Sequence, residues 1–516
     1  MYGLRFEDQP AIVPSDPNRA DIACFVGYVA QRDTPLPGDV ATWLLDRGWI
    51  DALPAAGAAS APLYQVPIPI DTWEAFDQLF VWEQRRLKPG GPALPTYMGA
   101  AIRTFFAQGG RKCYVVSAGP PWPYLEEEVD PAARDLRMAA RLAELLPGYG
   151  GSVVDASPVE PRGVHGWRGL AHLFGLPDVA LACLPDLPDI VRSQVVQIDP
   201  TVATPPQPEV FVECAATEPA PRPDKALRHV RAPRCDARGY DAWVKAIQLA
   251  TIFLGTYQRE TQLIASLPIP QTGSDAELGP LQLIAGLLAA PPDSPVGGRP
   301  TGSGSAFVQV AYPWVRTSAS GPLPEGLESP DGVLAGMLAR SALVRGAYAT
   351  IAGQPPLDVY ALVPALRRNE IETLHERLSL FVETQRGPRL LSDVTLSAAI
   401  AHRQAHTGRI TASLLRAARV LGESMSFEAT SEVLWTRVRD QLTRLLEQFR
   451  AAGAFRGTTP EDAYQVRCDR STMTQNDIDN GRVVAVVSFD PAASIEAITV
   501  VLAMHEGGQA TLAQSA

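Results

Sequence analysis

The sequence predicts a multidomain fold that joins an α/β unit to a C-terminal α+β unit, and three observations carry that expectation. The chain has 516 residues, which at about 150 residues per domain is enough for roughly three domains. Apolar strand patterns recur at residues 179–184, 263–267 and 307–311, each with helical periodicity before it or soon after. Such alternation is the mark of a sheet covered by helices. Past Pro355-Pro356 the chain turns helix-rich as far as residue 453 and then ends in strands.

The elements follow in order. Residues 1–20 hold Asp8, Pro10, Pro14, Asp16 and Pro17 without an apolar period and read as an extended arm, followed by a strand over residues 22–30. Asp71 and Glu74 have capping-box spacing before the apolar face Trp73, Phe76, Leu79 and Phe80. Tyr97, Ala100, Ala101 and Phe105 fall at helical spacing, Gly109-Gly110 offers a left-handed C-cap, and residues 113–116 form a short apolar strand. Asp130-Pro131 starts a helix running to about residue 146. Residues 200–236 are proline-rich and read as a surface insertion, while residues 291–306 form a Gly- and Pro-rich loop. A turn-rich stretch over residues 313–330 leads into a helix over residues 332–351.

Near the C-terminus, a helix over residues 432–452 lines up Val433, Leu434, Val438, Leu442, Leu445, Leu446 and Phe449 as its apolar face. Arg437, Asp440, Arg444 and Glu447 alternate in sign along the other side, which Arg450 shares. That side reads either as a solvent face with local ion pairs or as a polar docking surface for a neighbouring polymer. Thr459-Pro460 then supplies a hydroxyl N-cap followed by acidic residues in a first turn. In the strand after it, Val483, Ala485, Val487 and Phe489 share one face and Val484, Val486 and Ser488 the other, so it expects neighbours on both sides. The division this gives is an arm (1–20), an outer α/β domain (21–345) and an inner α+β domain (346–516).

Charge and motifs narrow the function. The formal net charge of -11 argues against a nucleic-acid or anionic-membrane surface as the main partner. The longest apolar runs, such as residues 283–290, are far below the ~18 residues of a membrane span, and no export signal is visible at the start. Six scattered cysteines without a CxxC pair read as reduced core thiols, with Cys24, Cys113 and Cys183 in buried strands, which points to folding and assembly in the cytoplasm. His402 and His406 have the four-residue spacing of a zinc peptidase, but Arg403 stands where its glutamate would be, so both read as surface histidines. Gly302-Ser303-Gly304 lacks the ending of a phosphate loop, and Glu126-Glu127-Glu128 reads as a solvated charge run. No nucleophile elbow appears, so neither an enzyme, a metal site nor a cofactor is expected.

Two segments resemble the signatures of contractile tail sheath proteins. One runs from Asp462-Ala463-Tyr464-Gln465-Val466-Arg467-Cys468-Asp469 through Asn476-Asp477-Ile478 and Gly481-Arg482 to Pro491. The other runs from Tyr97-Met98-Gly99-Ala100-Ala101-Ile102-Arg103 to Val115-Val116. Pro324-Glu325-Gly326-Leu327-Glu328 and the residues to Arg340 are similar to sheath subunits of the extracellular injection-system branch. The resemblance implies stacked hexameric rings around an inner tube, bounded by baseplate and terminator proteins, with neighbouring subunits exchanging strands from terminal arms. It implies an inner C-terminal domain, with Arg437, Asp440, Arg444, Glu447 and Arg450 as tube-contact candidates. Free edges are expected on the strands at 483–489 and 495–504, which makes Val483, Val487, Phe489, Ile495, Ile498 and Val500 the strand-exchange candidates. Where the family carries a Pro-Ala-Glu-Phe stretch, this chain has Ser494-Ile495-Glu496-Ala497. Two positions therefore stay open, a main sheath subunit or a minor paralogue placed at the baseplate or the distal end.

Overall fold

The computed structural model describes residues 19–53, 63–126, 130–150, 163–193, 230–271, 279–288, 304–397, 399–425, 431–457, 459–492, 498–504 and 510–513. The expected arm up to residue 18, most of the proline-rich insertion, and Ser303 with its flanking Gly302 lie outside the described residues.

Eight strands form the main sheet: β1 (Ala23–Gly27), β2 (Pro67–Ile70), β3 (Cys113–Ser117), β4 (Leu181–Cys183), β5 (Gln262–Ser266), β6 (Val308–Tyr312), β7 (Ser379–Thr384) and β8 (Gly387–Leu390). They are ordered β8-β7-β6-β5-β4-β1-β3-β2. The six inner strands run parallel, and the two edge strands are antiparallel to their neighbours. A parallel sheet must be covered on both faces, and period-two alternation assigns its residues to two cores. Cys24 and Val26 of β1 pack with Leu142 and Leu145 of α2 (Pro131–Leu145) and with Trp243, Ile247 and Leu254 of α3 (Ala237–Tyr257). Ala23 and Phe25 face the other way, onto Ile102 and Phe105 of α1 (Tyr97–Ala107) and Val333, Met337 and Leu338 of α4 (Asp331–Arg345). Cys24, Cys113 and Cys183 are buried free thiols in three of these strands, as their apolar settings predict.

Helices α1 and α4 meet closely because α4 presents glycine at the crossing. A Cβ at Gly332 would lie 2.7 Å from the Ala101 Cα, and one at Gly336 would lie 2.7 Å from the Phe105 carbonyl oxygen. Helix α1 ends as its sequence predicts, on Gly109 with φ +105°. Helix Trp73–Leu79 is capped by Thr72, whose hydroxyl accepts from the Ala75 N–H at 3.2 Å, rather than by Asp71.

The C-terminal unit has helices α5 (Ala405–Ser424) and α6 (Glu432–Ala451) and an antiparallel sheet in the order β9 (Tyr464–Arg467), β10 (Val483–Phe489), β11 (Ile498–Met504), β12 (Ala510–Ala513). Leu414 and Ala418 of α5, Leu434, Trp435, Val438, Leu442, Leu446 and Phe449 of α6, and Val483, Ala485, Val487 and Phe489 of β10 form one core. The expected boundary at residue 345 is corrected here. β7 and β8 lie beyond it and belong to the main sheet, because β7 pairs in parallel with β6 through Ala311 and Tyr312. The second unit therefore begins after residue 396, not after residue 345.

Candidate assembly surfaces

Of the four edges of the two large sheets among the described residues, two are blunted by proline. Strand β2 reads Pro67-Ile68-Pro69-Ile70 and β8 reads Gly387-Pro388-Arg389-Leu390. Proline has no N–H to offer a further strand, so the main sheet resists edge-to-edge growth. Strands β9 and β12 contain no proline and end the C-terminal sheet on either side.

That arrangement overturns the free edges expected on β10 and at residues 495–504. Strand β10 pairs with β9 on one side and β11 on the other, and β11 pairs with β10 and β12. Both are interior strands. Val483, Val487 and Phe489 face inward as buried core side chains. Ile498 and Val500 sit in register opposite Phe489 and Val487, and Ile495 lies outside the described residues. The open backbone belongs to β9 and β12. For β9 a local signal exists in the sequence, since half-buried Tyr464 and Val466 alternate with exposed Gln465 and Arg467.

Helix α6 starts where Ser431 accepts from the Leu434 N–H at 3.3 Å, with Glu432 in its first turn and Arg450 in its last, charges that suit the helix dipole. Its apolar face is as expected except at Val433, which is 69% exposed, and Trp435, which is buried in its place. Val433, Arg437, Asp440 and Arg444 are all exposed at spacings of four, three and four, so they form one continuous stripe. Asp440 lies 3.8 Å from Arg439. Glu447 and Arg450 are only partly exposed and bond to each other, with Arg450 Nε donating to Glu447 Oε2 at 2.8 Å. That bond holds the Glu447 carboxyl below its usual range. Tyr464 donates its hydroxyl to the same carboxylate at 3.1 Å, which ties edge strand β9 to α6. The five tube-contact candidates thus divide. Arg437, Asp440 and Arg444 belong to the exposed stripe, whereas Glu447 and Arg450 build the joint between helix and sheet.

Elsewhere the polar groups serve the chain's own structure. In α/β sheets ligands bind at the carboxyl ends of strands where the strand order reverses, here beside β1. Asp186 sits there, accepting from the Tyr28 N–H at 2.6 Å and from the Met98 N–H at 3.1 Å. Burial raises its carboxyl to about 7. Next to it, buried Asp189 pairs with buried Arg85 at 2.7 Å and with partly buried Arg192. His402 and His406 do not share a helix face, because Gln404 (ψ 118°) breaks the helix between them, and His406 is buried rather than on the surface. Glu126 is likewise no solvated charge; Arg141 Nη1 donates to it at 3.0 Å. Among the described residues no group of three or more His, Cys, Asp or Glu side chains is placed to hold a metal ion, and no helix is long and apolar enough to cross a membrane.

Solved structures of similar fold come from contractile assemblies. The chain aligns with a subunit of the anti-feeding prophage helical sheath in its contracted state, with a TM-score of 0.51 and 18% identity over 96% of this chain and 97% of that one. A chain of the contracted anti-feeding prophage baseplate gives a TM-score of 0.56 at 18% identity, covering 96% of both chains. This is a contractile-sheath fold. The sheath fold extends over both units, since the aligned share leaves out neither the main sheet nor the C-terminal one. No protein-family model matches the chain, and no curated protein sequence matches it.

Proposed function

We propose that the chain is a structural subunit of a contractile sheath, polymerising as stacked hexameric rings around an inner tube and shortening to drive that tube through a target envelope. The observation that carries this reading is the end-to-end likeness to a subunit of a contracted sheath, over 96% of one chain and 97% of the other. The work of such a device comes from interfaces between copies of the chain, a bistable packing that needs no chemistry at an active site. Asp186, held by backbone N–H groups, and the buried Arg85–Asp189 pair fit a structural role. The particle would assemble in the cytoplasm, with baseplate and cap proteins at its ends. Electron microscopy of the purified chain tests the reading, since long ribbed tubes are expected and persistent monomers would count against it.

Strand addition to the C-terminal sheet is the proposed joint between copies, with residues 1–18 as the donated arm and β9 or β12 as the receiving edge. Deleting residues 1–18 is expected to leave a soluble folded chain that no longer forms tubes. Tubes of normal length from the truncated chain would dismiss this segment as the joint.

The exposed stripe of α6 is the proposed tube contact. It carries Arg437 and Arg444 against Asp440, a positive excess in a chain of net charge -11. Exposed ion pairs are worth about 0.2–1 kcal/mol each, weak enough for release on contraction yet repeated at every subunit. Arg437→Glu with Arg444→Glu is expected to impair co-assembly with the tube without lowering thermal stability, and raised salt should mimic it in the unmutated chain. Unchanged tube binding by the double variant would remove the stripe from consideration.

A further inference from the structure

Helix α5 carries arginines at positions 409, 416 and 419, which 3.6 residues per turn bring to one side. Each is engaged with the main α/β unit. Arg409 grips Asp393 with both arms, Nη1 to Oδ1 at 3.0 Å and Nη2 to Oδ2 at 2.7 Å, and also donates to the carbonyls of Ala347 and Ala349 at 3.0 and 3.2 Å. Asp393 accepts in addition from Gln309 Nε2 at 2.9 Å and the Ile351 N–H at 3.1 Å. Arg416 donates to the Glu260 carbonyl, and Arg419 pairs with the Glu260 carboxylate at 2.8 Å while donating to the Pro177 carbonyl at 2.8 Å.

These partners have an order. Gln309 is in the first half of β6, Glu260 lies just before β5 and Pro177 just before β4, three strands that are neighbours in the sheet. From Arg409 to Arg419 the helix rises about 15 Å, and two strand spacings amount to about 10 Å. Helix α5 therefore runs across the amino ends of the sheet and meets one strand after the next. The following strand in the row is β1, preceded by buried Asp21, which pairs with Arg19 at 3.0 Å. On its other side α5 places Ile410, Leu414, Leu415 and Ala418 in the C-terminal core and lies against β11 and β12.

We propose that α5 is a crossbar that couples the C-terminal sheet to the amino ends of β4, β5 and β6 in the main sheet, so that the placement of one unit is passed to the other through Arg409, Arg416 and Arg419. An apolar contact alone would let the C-terminal unit slide, because hydrophobic contact is non-directional. A bidentate Arg–carboxylate pair fixes both distance and angle. The coupling is a property of one subunit, so its test needs no assembly and its failure leaves the sheath reading standing.

The test is amide hydrogen exchange on the unassembled full-length chain. In Arg409→Met with Asp393→Leu, which removes both charges and leaves neither unpaired, exchange in β9, β10 and α6 should rise about tenfold while β1, β4 and β5 keep their protection. Arg419→Ala, which leaves the buried pair intact, should show the same regional pattern more weakly. Exchange that rises equally in both units, or in neither, would overturn the proposal.

Discussion

Valine at Gly332 or Gly336 is expected to leave little or no soluble folded chain. At position 332 a Cβ comes within 2.7 Å of the Ala101 Cα, and at 336 within 2.7 Å of the Phe105 carbonyl oxygen and 3.1 Å of the Phe105 Cα. These are backbone atoms of α1, itself wedged against β1 and β3, so no rotamer change relieves the clash. Overpacking a close-packed core typically costs about 1–3 kcal/mol, and valine adds two more methyl groups where even the first carbon has no room. Against a total stability of about 5–15 kcal/mol, one such change consumes a large share. Alanine at Gly336 should fold with a lowered denaturant midpoint. Alanine at Gly38, where a Cβ meets nothing within 4 Å, is the control and should change stability by no more than about 0.5 kcal/mol. A Gly332→Val chain with an unchanged midpoint would mean that the two helices do not cross at this distance.

The parts of the fold legible in the sequence are those whose pattern is local. Helix α1, its glycine stop and strand β3 follow from the spacing of Tyr97, Ala101 and Phe105, from Gly109 and from the apolar run at Cys113. The boundary at residue 345 failed because β7 and β8 follow the Pro355-Pro356 break, and nothing within Ser379–Thr384 says that its partner is Tyr312. Pairing is non-local, and periodicity records only that a strand is buried. The same limit governs β10: its two apolar faces say that it is covered by other layers, not which strands pair with its edges, and β9 and β11 take both edges. That Arg437, Asp440 and Arg444 share one exposed side of α6 was readable from helical spacing alone. Val433 was misplaced because it sits at the edge of the apolar arc, where Trp435 fills the core instead. Buried Arg409 and partly buried Arg419 were invisible for a different reason. Charged residues are rarely buried unless paired, and the partners of Arg409 and Arg419 lie 16 and 159 residues away with no period to connect them.

Removing Arg409 alone is expected to cost about 3–5 kcal/mol near neutral pH, and the loss should shrink on acidification. Burial pushes the Asp393 carboxyl up, but the charge and hydrogen bonds of Arg409 outweigh it and hold the group at about 2. In the unfolded chain an aspartate sits near ~3.9. A folded value below the unfolded one means that the pair's stabilisation is fully present above ~3.9 and fades as pH falls through about 2. Arg409→Ala leaves the same carboxylate buried with only neutral donors from Gln309, Thr350 and Ile351. Its value should then rise above the unfolded one, so that protonation relieves the buried charge as pH drops from 7 towards 4. Asp186, Glu328 and Asp331, raised by burial to about 7, about 8 and about 6, make both chains more stable in mild acid and lose that contribution as pH rises through those values. Because they are common to both chains, they cancel in the difference. Denaturant midpoints of the unmutated chain and Arg409→Ala at pH 4.5 and 7.5 should therefore converge at the lower pH, with Arg409→Lys intermediate because it keeps the charge but not the two-armed grip. A gap of equal size at both pH values would show that Asp393 is not the group left unpaired, and that Arg409 stabilises the chain through the carbonyls of Ala347 and Ala349 instead.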